Sequence, residues 1–107
     1  MKITKICEDH AVRIVLEGEI DECGAEEVKT VFREVALTAP QTVAVDFAAV
    51  THIGSAGIGR LLVFYKDLAI HGARLSLVRV PPPLFHLFRE MRLDTIFAMM
   101  ESTPPPE

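Results

Sequence analysis

The sequence predicts an α/β fold, a sheet with helical cover. A period-two strand near the start gives way to a helical stripe, and then strand, helix and strand follow within about forty residues. With 107 residues, the chain suits one core rather than two lobes. Folding at this size hides roughly 65% of the extended chain's surface, enough for a core without metal or disulfide staples.

The opening segment reads as two short strands joined by Glu8-Asp9-His10. In the second, Val12, Ile14 and Leu16 alternate with Arg13, Val15 and Glu17, the pattern of a half-buried strand. After Gly18, Glu19-Ile20-Asp21 leads into a first helix with an inner stripe of Val28, Val31, Phe32 and Val35. Asp21 or a neighbour caps it, Glu22, Glu26 and Glu27 cluster around its start, where the dipole favours them, and Pro40 marks the exit.

Thr42 to Phe47 is apolar, β-branched and too short for a helix, so it reads as the central strand, buried on both faces. From about Ala56 to His71 helical spacing returns, with Ile58, Leu61, Leu62, Tyr65, Leu68 and Ala69 on one side and Gly72 as the stop. Arg74 to Val80 is the next strand, parallel to the central one through a right-handed crossover. Pro81-Pro82-Pro83 ends it and opens a third helix carrying Leu84, Leu87, Phe88 and Met91. Leu93 to Ala98 reads as a short edge strand. Residues 1–100 are expected to form the domain and 101–107 a flexible, Pro-rich tail.

A composition of 50% hydrophobic and 24% charged residues excludes a disordered chain. Eleven basic against fifteen acidic residues give a net charge of −4, and no basic run matches nucleic acid or an anionic membrane. Arg60, Lys66, Asp67 and Arg74 break up the richest apolar region, which argues against membrane insertion. Cys7 and Cys23 are too few and too far apart for a disulfide framework, and MKITKICEDH has no apolar signal core. A cytoplasmic protein with reduced thiols is expected.

One segment is unusual: Thr51 to Gly59, between the central strand and the second helix, holds three glycines in Gly54, Gly57 and Gly59. The carboxyl end of such a strand is where ligands and partners usually meet an open α/β sheet. The glycine spacing does not fit a dinucleotide fingerprint, and no Gly-Lys-Ser/Thr is present to hold phosphates. A nucleophile elbow fails too, because Ile53 stands where a glycine is needed. His52 and His71 have no visible orienting partner. Two readings of Ser55 remain. It is either a helix N-cap worth ~1 kcal/mol, or a phosphorylation site whose phosphate would meet exposed helix amides.

The run Val43-Ala44-Val45-Asp46-Phe47 followed by Ile53-Gly54-Ser55-Ala56-Gly57-Ile58-Gly59 resembles the signature of STAS domains, shared by sulfate transporters and anti-sigma-factor antagonists. Leu16-Glu17-Gly18-Glu19-Ile20-Asp21 and Gly72-Ala73-Arg74-Leu75 extend the likeness, which reaches to about Phe97. The resemblance implies a STAS-like α/β domain of four or five strands in a mixed sheet, with three to four helices packed against it. It implies a non-enzyme without cofactor, of the stand-alone antagonist type. It further implies binding to an anti-sigma factor that is a GHKL-type serine kinase, with a phosphatase as further partner, and a switch at Ser55 that phosphorylation turns off. Asp21, Gly54, Ser55, Ala56, Gly57, Ile58 and Gly59 are the partner-binding positions it implies. One departure is Gly54, where the family often carries Asp. The alternative reading is an unphosphorylated STAS subunit that scaffolds a membrane transporter's ATPase.

Overall fold

The computed structural model describes residues 1–101. Five strands, β1 (Lys2–Glu8), β2 (Ala11–Ile20), β3 (Thr42–Ile53), β4 (Arg74–Val80) and β5 (Ala98–Glu101), lie side by side in chain order. β1 is antiparallel to β2, and every later neighbour pair is parallel. The helices are α1 (Glu22–Leu37), α2 (Ser55–Ile70) and α3 (Pro82–Glu90). The expected mixed sheet with three helices is therefore what forms, and β3 is its central strand.

The core lies between one face of the sheet and the helices. Ile14 and Leu16 of β2, Val45 and Phe47 of β3, and Leu77 of β4 are almost fully buried there. Phe32 of α1 stacks on Phe64 of α2 with ring centroids 4.1 Å apart, and Phe47 meets Phe88 of α3 edge-on at 5.8 Å. These aromatic contacts fix how α1, α2 and α3 seat on the sheet.

Several expectations need correction. β3 is packed against helices on one face only: Val43, Val45 and Phe47 point into the core, whereas on the other face Ala44 is half-buried, Asp46 is covered by arginine side chains, and no helix among the described residues lies over them. β2 and β3 also run further than their apolar patterns suggested. Beyond Asp46 the partner β4 is lost, but β3 continues against β2 through Ala49↔Glu17, Val50↔Gly18 and Ile53↔Ile20. Thr51 to Ile53 is thus strand, not loop.

In α2 the buried residues are Gly57, Ile58, Leu61, Phe64 and Leu68, while Leu62 and Tyr65 of the expected stripe are each 38% exposed. Val31 and Leu87 are half-buried and Met91 is exposed, so the stripes of α1 and α3 are narrower than their periodicity allowed. Of the acids near α1, only Glu22 lies in its first turn.

The edge strand exists but is shifted. Leu93–Thr95 forms a 3₁₀ turn after Arg92, at φ +60°, and both Leu93 and Phe97 point inward before β5 begins at Ala98. Glu101, assigned to the tail, closes β5; the rest of that segment, 102–107, lies outside the described residues. Proline at the first two positions of α3 and Gly72 (φ +73°) after α2 act as their residue types require.

Candidate functional site

The parallel strands β2 and β3 deliver their carboxyl ends to one edge of the molecule, and a helix starts at each end. Ile20 pairs with Ile53, and the Gly54 N–H donates to the Ile20 carbonyl at 3.0 Å. The starts of α1 and α2 therefore stand side by side.

The two starts differ chemically. At α1 the Asp21 carboxylate accepts from the Gly24 N–H at 2.8 Å, with Glu22 beside it. That helix end is capped and its dipole is answered. At α2 the N-cap is Gly54, which brings no side chain, and the first turn holds no acid. Ser55 is not the cap: it is the first helical residue, and it is exposed. The first helical bond runs from the Ile58 N–H to the Gly54 carbonyl at 3.1 Å. The amides of Ser55, Ala56 and Gly57 therefore lie outside the helical ladder.

The seven residues implied by the resemblance separate into two groups. Asp21, Ser55 and Ala56 are exposed and Gly54 is half-exposed at this edge, whereas Gly57 and Ile58 are buried. A Cβ on Gly57 would sit 2.6 Å from Ile20 Cγ2 and 2.8 Å from Ile53 Cγ1, closer than carbon atoms pack. Gly57 thus lets α2 seat closely against β2 and β3. Gly59 is half-buried, and a Cβ there would meet nothing within 4 Å.

Two charged groups escaped the sequence reading. A cleft of about 440 Å³ between the helix starts is lined by Glu22, Cys23, Ala25, Glu26, Ala56 and Arg60. Arg60 Nη2 is 3.4 Å from Glu26 Oε1 across it. Its position four residues after Ala56, on the same helix face, was the available signal. The second is Asp46, 0% exposed. Its Oδ2 accepts from Arg13 Nη2 at 2.6 Å and from Arg79 Nε at 2.9 Å, and its Oδ1 accepts from the Ala48 N–H at 2.9 Å. Burial alone would raise the Asp46 pKa, but bonds from Arg79, Ala48 and Arg13, with the charge of Arg79, outweigh it and hold the carboxyl below its ordinary value. An acid in the middle of an apolar strand must have partners, which is the signal the sequence carried for this cluster.

His52 and His71 are exposed and lie in β3 and after α2, respectively. Cys7 and Cys23 are both free and exposed. No helix among the described residues is long and apolar enough to cross a membrane.

The family model described as Mlab, STAS domain, matches residues 4–101. An anti-sigma factor antagonist from Mycobacterium paratuberculosis superposes with a TM-score of 0.83 at 22% identity, over 92% of this chain and 84% of that one. An anti-sigma-factor antagonist (STAS) domain protein from Planctomyces limnophilus gives 0.82 at 18%, covering 94% and 90%. The Bacillus cell fate determinant SpoIIAA, in its phosphorylated form, gives 0.75 at 21%, covering 95% and 92%. At such identities these structural likenesses establish the fold.

Proposed function

The chain belongs to the STAS domain family, and from that premise we propose that it is a partner-switching protein. It binds an anti-sigma factor that is also a GHKL-type serine kinase, and phosphorylation of Ser55 turns the binding off. The observation that carries this reading is the start of α2. Ser55 is exposed on a helix end with no capping side chain, no acid in its first turn, and three amides outside the helical ladder.

A phosphate there would add about −1.5 to −2 charges. The α2 dipole and free amides favour an anion, so the folded domain has room for it without rearrangement. The same charge would fall on the surface formed by Gly54, Ser55 and Ala56, beside the acidic start of α1 with Asp21, Glu22 and Glu26. Any partner docking over that edge would have to desolvate it, which supports an off switch. Similarity to a protein studied in phosphorylated form is consistent with this.

Gly54 favours a second reading. With no carboxylate immediately before Ser55, the residue lacks a fixed local charge for kinase recognition, as expected of an unphosphorylated subunit that scaffolds a transporter's ATPase. Phosphosite mapping by mass spectrometry, on protein isolated from its own cells with and without stress, separates the two. Phosphate on Ser55 that changes with conditions is the expected result. Abundant protein unmodified at Ser55 under every condition would overturn the switch and leave the scaffold.

A further inference from the structure

Parallel strands are almost always covered on both faces, because crossover helices fall on either side. Here β2 to β5 are parallel, yet the core formed with α1, α2 and α3 occupies one face. On the other face Asp46 is flanked by its strand partners Val15 and Val78, with Ala44 one step along and Ile6, opposite Arg13, 44% exposed. A depression of about 380 Å³ beside them is framed by Ile6, Glu8, Arg13, Ala44 and Ser76.

At the centre of this face, two arginines share one carboxylate. Arg13 and Arg79 both bond to Asp46 Oδ2, and their side chains remain 46% and 58% exposed. Within this cluster two positive charges against one leave a surplus of one cation, and Glu8 and Arg74, at the two ends of one cross-strand row, offset each other, in a chain whose net charge is −4. Arg79 reaches Asp46 from an irregularity between Leu77 and Val80, with its own φ at +51°. A non-glycine residue holds that conformation at a cost, and strand irregularities of this kind re-aim side chains. Here the strain places a guanidinium on a sheet face that no described helix covers.

We propose that this face is a second docking surface, and that its occupant is an acidic segment of a partner protein, a carboxylate between Arg13 and Arg79 with apolar neighbours on Ile6, Val15, Ala44 and Val78. The free N–H groups of the two guanidinium forks suit bidentate carboxylate binding. A second copy docked symmetrically is disfavoured, since it would bring two surplus cations face to face. Nucleic acid would need a row of cations rather than one. Because α2 and Ser55 belong to the other layer, this surface stands or fails independently of the switch.

The test replaces Ile6 with a photoreactive p-benzoylphenylalanine in the protein's own cells, with the same label at Leu37, exposed on α1, as control. The expected result is an adduct from position 6, and not 37, whose crosslinked peptide belongs to another protein and carries Asp or Glu. Its yield should fall at least tenfold in the Arg13→Gln/Arg79→Gln double variant, and stay unchanged in Ser55→Asp. An adduct with lipid, with the same chain or with a second copy, or no adduct, overturns the proposal. So does a heterologous adduct on a peptide without acids, or one that persists in the double variant. If that variant fails to fold, the wild-type yield in a lysate of those cells, with and without added 0.5 M salt, replaces it: a several-fold fall supports the charge-guided contact, and an unchanged yield overturns it.

Discussion

Alanine at position 57 and alanine at position 59 are the same chemical change two residues apart on one helix, and the structure gives them opposite signs. In an exposed helix, Gly→Ala gains about 0.5–1 kcal/mol of stability by restricting the unfolded chain and improving propensity. Gly59 should show this gain, because its Cβ enters open space. Gly57 should not, because its Cβ would stand 2.6 Å from Ile20 Cγ2 and 2.8 Å from Ile53 Cγ1. Both contacts are with buried side chains from two strands, so relief requires α2 to shift, at a cost of roughly 1–3 kcal/mol. The net expectation is that Gly57→Ala lies about 1–3 kcal/mol below Gly59→Ala. Urea denaturation followed by circular dichroism reads this as a midpoint difference on the order of 1 M. If the two variants unfold at the same midpoint, or Gly57→Ala is the more stable, the packing account of the α2 start is wrong.

Three further outcomes follow. Asp46 has a folded pKa below its unfolded value, so its contribution is present above about pH 4 and lost as pH falls through the folded pKa. Asp46→Asn should therefore be less stable than wild type at pH 7, with the gap closing below pH 4 in parallel denaturant titrations; a constant gap would contradict the clamp. Asp21→Ala removes the α1 cap and should cost about 1 kcal/mol, measured by the same unfolding curves. Phe64→Ala empties the stack on Phe32 and should cost about 3–5 kcal/mol, whereas Tyr65→Ala should cost less, since Tyr65 is partly exposed.

The sequence made α1, its Asp21 cap and the order of strands legible because each rests on local chemistry: a clean 3.6-residue stripe, an acid before a helix, a β-branched run. The phase of α2 was not legible. Leu61 to Tyr65 is apolar at five consecutive positions, so periodicity cannot choose a face, and only the Phe32 ring on α1 makes Phe64 the inward residue. The second half of β3 was hidden because Ala48 and Ala49 break the alternation while β2 alone holds the strand. The Asp46 clamp depends on Arg13 and Arg79, each 33 residues away, and nothing local announces an arginine at positive φ. At the site itself, Ser55 was found by position, but its role as cap was excluded by one residue of register: Gly54 caps, and the hydroxyl is free.

The central claim is that a charge on Ser55 controls a docking edge formed by the starts of α1 and α2. The most direct measurement is the affinity of the proposed kinase partner for the purified chain in two forms, unmodified and phosphorylated at Ser55, by isothermal titration calorimetry at one salt concentration. The account predicts at least tenfold weaker binding of the phosphorylated form with an unchanged circular dichroism spectrum. Equal affinities for the two forms would contradict it.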